Sequence, residues 1–107
     1  MNNEINPIEE DFNAALSRYK AGQDLISLVK DFQKIIQQIP NHFAAWTCLS
    51  WLHLLLKNNE EALAAARQAV RLNQQDPQAR MNLSLALLAT NSTVSYTHLT
   101  LPTNSSV

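Results

Sequence analysis

The chain has 107 residues, a net charge of −1, 46% hydrophobic residues, one Gly, four Pro and one Cys. That length implies one domain with enough apolar material for a core, and the scarcity of Gly leaves room for long helices. The lone Cys excludes an internal disulfide, and eight Lys and Arg spread without a basic block speak against a nucleic-acid partner. Met1-Asn2-Asn3-Glu4 is polar and acidic, unlike a signal peptide. The most apolar stretch, Phe43 to Leu56, is short for a membrane span and holds His53. A cytoplasmic protein without membrane contact is the expectation.

Taken in order, the elements read as five helices. Asn6 is expected to cap the first, with Pro7 in its first turn and Glu9 placed to reach back. Phe12, Ala15, Leu16 and Tyr19 then recur at three- and four-residue spacing, giving one apolar stripe. Gly22 can take the positive φ that stops a helix, and Asp24 is expected to cap the second. That helix carries Leu25, Leu28, Val29, Phe32, Ile35, Ile36 and Ile39 before Pro40 ends it.

Asn41 is the expected cap of a third helix, which is apolar on nearly every side through Trp46, Leu49, Trp51, Leu52, Leu54 and Leu55. Lys57-Asn58-Asn59 forms a turn, and Glu60 and Glu61 suit the positive end of the fourth helix. Ala62, Leu63, Ala66, Ala69, Val70 and Leu72 follow. Asp76-Pro77 opens a fifth helix with Ala79, Leu83, Ala86, Leu87 and Leu88, expected to end at Thr90-Asn91-Ser92. β-branched residues rarely cluster, so strands are not expected.

A period of 34 runs through this pattern, pairing Phe12 with Trp46, Tyr19 with His53, and Ser50 with Ser84. Such a period is characteristic of stacked helix–turn–helix arrays. Residues 43–76 resemble a tetratricopeptide repeat. Trp46, Leu49 and Ser50 match its early Trp, Leu and small residue, and His53 stands where the family usually has Tyr. Ala62 and Ala69 match the two small residues of its second helix. Residues 77–90 resemble the first helix of a next, truncated repeat, and 9–42 a divergent one after a lead of residues 1–8. In 9–42, Leu16, Leu28 and Ile35 replace small residues, so that pair should sit further apart; it is either a true repeat or a cap. The resemblance covers residues 9–90, most closely 43–88, and implies an all-α fold, a right-handed α-α superhelix.

Val94 to Thr103 resembles the translation of a transposase-type sequencing-library adapter, with Asn104-Ser105-Ser106 from a variable index and Val107 from the codon before a stop. This implies a native sequence interrupted near Ser92 and a non-native, disordered tail at 91–107. The other reading is an ordinary polar tail rich in Thr and Ser.

The resemblance further implies a non-enzymatic interaction module with a concave groove lined by the first helix of each pair. Its groove positions fall on Asn13, Ser17 and Lys20, then Thr47, Cys48, Trp51, Leu54 and Leu55, then Gln78, Met81, Asn82, Leu85 and Leu88. An apolar, aromatic centre suits a partner helix or extended segment with aliphatic anchors. Trp51 and Leu55 could equally face a further helix or a second copy. Family members that clamp a terminal carboxylate use Lys, Asn and Arg; Asn13, Ser17, Cys48, Gln78 and Asn82 supply no cation, which disfavours that ligand. Cys48 and His53 are too few and wrongly spaced for zinc, and no phosphate loop exists with one Gly, so neither metal nor cofactor is expected. Two rival roles stay open: an accessory domain at the N-terminus of a larger enzyme, and a homo-oligomerisation element acting through Leu85, Leu87 and Leu88.

Overall fold

The computed structural model describes residues 7–98, and the side chains of residues 9–91. Five helices follow one another: α1 Pro7–Lys20, α2 Leu25–Gln38, α3 Phe43–Leu55, α4 Asn59–Leu72 and α5 Pro77–His98. There is no strand among the described residues. Short connections force each helix to turn back along the last, so neighbours pack as antiparallel hairpins. The main contacts are α1 with α2, α2 with α3, α3 with α4, α4 with α5 and, skipping one, α3 with α5. This is an all-α helical-repeat arrangement in which each element leans chiefly on its chain neighbours.

The helix boundaries have local chemical causes. Asp24 Oδ2 accepts from Ser27 N at 2.9 Å to start α2, and Asp76 Oδ2 accepts from Ala79 N at 2.9 Å to start α5. At the start of α3 the cap is His42, not Asn41. Its Nδ1 accepts from Ala45 N at 3.1 Å, and the helix begins at Phe43. Asn41 lies one residue too early to meet those N–H groups. The expected cap of α1, Asn6, lies outside the described residues.

Both α1 and α3 end in the same motif. Gly22 N donates to Tyr19 O at 3.0 Å and Gln23 N to Arg18 O at 3.2 Å; Lys57 N donates to Leu54 O at 3.1 Å and Asn58 N to His53 O at 2.9 Å. This paired closure requires a left-handed residue just past the helix. Gly22 supplies it at φ 81°, and Lys57, which bears a Cβ, does so at φ 66°.

The core is formed by Ala15, Leu28, Val29, Phe32, Ile35, Ala45, Leu49, Leu52 and Ala65. Phe12 meets Phe32 edge-on at 5.7 Å and His42 at 5.1 Å. Arg18 grips Asp31 through Nη2 at 2.7 Å and Nε at 3.2 Å, tying α1 to α2. α1 and α2 are less closely packed than α3 and α4, and on α4 the small residues Ala62, Ala66 and Ala69 are fully buried.

One boundary departs from the sequence reading. α5 does not end at Thr90-Asn91-Ser92 but continues through His98, so residues 91–98 are helical where disorder was expected. No Gly or Pro interrupts that stretch. Thr90, the first polar residue of the expected stop, turns its hydroxyl back onto Ala86 O at 2.9 Å and Leu87 O at 3.2 Å, which leaves the helical backbone intact. The rest of the tail, residues 99–107, lies outside the described residues.

Candidate functional site

A groove of about 420 Å³ opens between α1, α3 and α5. Leu16, Tyr19 and, from α2, Phe32 form one wall; Thr47, Cys48, Trp51 and Leu52 form the floor; Gln78, Met81, Asn82 and Leu85 form the other wall. α3 holds this together because it is apolar nearly all round, so it can face α2 and α4 on one side and still present Cys48 and Trp51 on the other.

Two polar links fix the walls to the floor. Trp51 Nε1 donates to Tyr19 Oη at 2.8 Å, so the indole has its partner inside the protein and offers the groove an apolar ring. On the opposite side Asn82 Nδ2 donates to Ser50 Oγ at 2.9 Å and to Thr47 O at 3.3 Å. Asn82 Oδ1 in turn accepts from Gln78 Nε2 at 2.8 Å, and the Ser50 hydroxyl donates to Thr47 O at 2.7 Å. The set is closed: each buried polar group there has a partner.

Of the groove positions carried over from the repeat, Thr47, Cys48, Trp51, Gln78, Met81, Asn82 and Leu85 do converge here. Asn82 has a different part from the one expected, since its side chain is fully buried and acts as the bolt between α5 and α3. Asn13, Ser17 and Lys20 are exposed on α1 away from the groove lining. Leu54 and Leu55 also stand outside that lining, and Leu55 is 42% exposed. The direction of a side chain on a helix changes by about 100° per residue, so positions 13, 17 and 20 follow a different line along α1 from Leu16 and Tyr19.

Leu16, Tyr19, Phe32 and Leu52 line the groove without having been singled out for it. Their apolar spacing reads equally as core, and only the gap between α1 and α3 exposes their edges. Along α5, Met81, Leu85 and Leu88 are 55%, 38% and 66% exposed, whereas Leu87 is half-buried. The open apolar strip is therefore Met81, Leu85 and Leu88.

Burial pushes the Cys48 thiol up to about 11, so the sulfur is an uncharged, soft apolar contact at neutral pH rather than a nucleophile. His53 points elsewhere: its Nδ1 meets Asn58 Nδ2 at 3.3 Å, and the ring is only 7% exposed. Burial lowers its pKa below 6.5, partly opposed by the Glu61 carboxylate. Accepting from an amide N–H requires the neutral ring with its proton on Nε2. No group of three or more His, Cys, Asp or Glu able to hold a metal converges among the described residues. No described helix is long and apolar enough to cross a membrane.

Comparison of the chain with protein-family models gives no match, and comparison with curated proteins gives none either.

Proposed function

We propose that this protein is a non-enzymatic interaction module of tetratricopeptide type, working in the cytoplasm, whose α1–α3–α5 groove docks a partner helix or extended segment through aliphatic anchors. The observation that carries this reading is the groove itself: an apolar channel floored by Cys48 and Trp51, with its polar wall groups already bonded to one another. Such a surface has little to offer a charged ligand and much to offer Leu or Ile side chains. The uncharged Cys48 thiol, and a His53 that faces away from it, support binding rather than catalysis.

The test is selection of helical peptides from a displayed library against the folded chain, followed by calorimetry. Selected peptides should carry aliphatic residues at i, i+3 or i+4, and i+7. Leu85→Asp should weaken them at least about tenfold, a loss of about 1.4 kcal/mol. Ile26→Asp, on an exposed α2 position outside the groove, should leave affinity unchanged. Peptides that bind both variants equally would place the binding surface elsewhere.

A second reading, self-association through the exposed Met81, Leu85 and Leu88 strip, draws on the same helix. It differs in predicting a mass that grows with concentration and is insensitive to salt.

A further inference from the structure

On the face away from the groove, α4 and α5 enclose a second cleft of about 530 Å³ lined by Arg67, Val70, Arg71, Gln74, Gln75, Arg80 and Leu83. Three of the four arginines in the chain meet there. In sequence they look dispersed; the fold gathers them. Arg67 and Arg71 stand one turn apart on α4, and the turn Asn73–Asp76 folds Arg80 of α5 back beside them.

None of the three makes an ion pair; the one pair among the described residues is Arg18 with Asp31. Arg71 Nη1 donates to the neutral Gln68 Oε1 at 2.6 Å. The acid nearest in sequence, Asp76, has Oδ2 engaged with Ala79 N as the cap of α5. Three exposed guanidiniums around a cleft floored by half-buried Val70 and Leu83 thus lack a counter-charge of their own.

The counter-charge lies at the far end of the array. Glu9, Glu10 and Asp11 crowd the first turns of α1, all exposed and none in an ion pair among the described residues. Within one chain the two sets do not meet, because α1 packs chiefly on α2 while the arginines sit on α4 and α5. We infer that the Arg67–Arg71–Arg80 cleft receives the Glu9–Glu10–Asp11 turn of a second copy of this chain, joining copies head to tail.

The charges match three against three. The positive end of the α1 dipole opposes the contact with about half a charge, which the carboxylates outweigh. Because the two faces differ, the contact is head to tail, and it propagates into rings or open rows rather than stopping at a two-fold dimer. A contact built from exposed charges is weak and disappears in salt. A nucleic-acid strand is the poorer occupant, since three cations on a chain of net charge −1 give no continuous track for a phosphate backbone.

The experiment is sedimentation of the untagged full chain over a range of concentrations. At about 0.01 M salt, where the Debye length is roughly 30 Å, the mass should climb past twice the 12.0 kDa of one chain. At about 1 M salt, with a Debye length of roughly 3 Å, it should return to one chain. The double variant Arg71→Glu with Arg80→Glu should stay monomeric, and so should Glu9→Lys with Glu10→Lys. Mixing the two variants should restore alternating rows, which also shows that both have folded. A chain that stays monomeric at low salt overturns the inference. So does association that persists in strong salt and in both variants, which assigns the contact to the apolar strip on α5. Binding of a short oligonucleotide at low salt with no growth in protein mass overturns it in favour of a nucleic-acid ligand.

Discussion

Asn82 shows how a single side chain can decide whether this molecule has a groove at all. It is fully buried, and it reaches from α5 to Ser50 and to the Thr47 carbonyl on α3. Removing a buried hydrogen-bonding group costs about 1–3 kcal/mol when its partners are left unsatisfied. Asn82→Ala should therefore destabilise the chain by about 2 kcal/mol. Asn82 Nδ2 and Ser50 Oγ share one hydrogen bond that either change removes, so the double variant with Ser50→Ala should cost clearly less than the sum of the two single changes. Urea titration of the four proteins measures that coupling, and strict additivity would mean that the bolt contributes nothing beyond shape. The sequence offered a signal for this role. Asn82 stands in the stripe Ala79, Asn82, Ala86, Thr90, the buried face of α5, so its spacing already marked it as a core position. The repeat register alone placed it toward a ligand.

At the scale of elements, helix starts and apolar stripes were legible because each depends on residues within a turn of one another. Asp24, Asp76 and Gly22 act where their chemistry says they should. What stayed hidden depended on tertiary placement or on a residue acting against type. His42 caps α3 with a ring nitrogen, and Lys57 takes a conformation that its Cβ disfavours. The Leu16–Tyr19 wall is visible only once α1 and α3 are set apart, and the arginine cleft only once α4 and α5 are folded together. The two Schellman closures give an internal comparison, since the same backbone geometry is met once by Gly and once by Lys. A non-Gly residue in the left-handed region costs about 1 kcal/mol. Lys57→Gly should therefore stabilise the chain by up to about 1 kcal/mol, and Gly22→Ala should destabilise it by a similar amount. An added Cβ at Gly22 meets no atom within 4 Å, so that loss would be conformational and not steric. Equal and opposite shifts in the urea midpoint are the expected result. A loss of stability in Lys57→Gly would mean that the lysine side chain contributes more than its backbone strain removes.

The whole molecule behaves as a short stack, and stability along a stack is not uniform. α4 lies between α3 and α5, and its small residues Ala62, Ala66 and Ala69 are fully buried. To open α4 both contacts must break. α1 has one main neighbour, α2, across a looser contact held by the Arg18–Asp31 pair and the Phe12–Phe32 edge, and it reaches α3 through the Tyr19–Trp51 bond and the contact of Phe12 with the capping His42. α1 should therefore detach while α3 and α4 stay folded. Native-state hydrogen exchange is the measurement: amides in the middle of α1 should exchange at least about tenfold faster than those of α4, a gap of about 1.4 kcal/mol. The groove sharpens this prediction, because Leu16 and Tyr19 form one of its walls, so detachment of α1 removes that wall. A ligand that binds only the closed groove must then slow exchange in α1 and in α4 by the same factor, because neither the α1-detached state nor the unfolded chain binds it. Slowing in α4 with none in α1 would mean that the ligand sits on α3 and α5 alone, with α1 taking no part. Equal rates in the free protein would mean that the five helices open as one unit and that the contact hierarchy does not govern the dynamics.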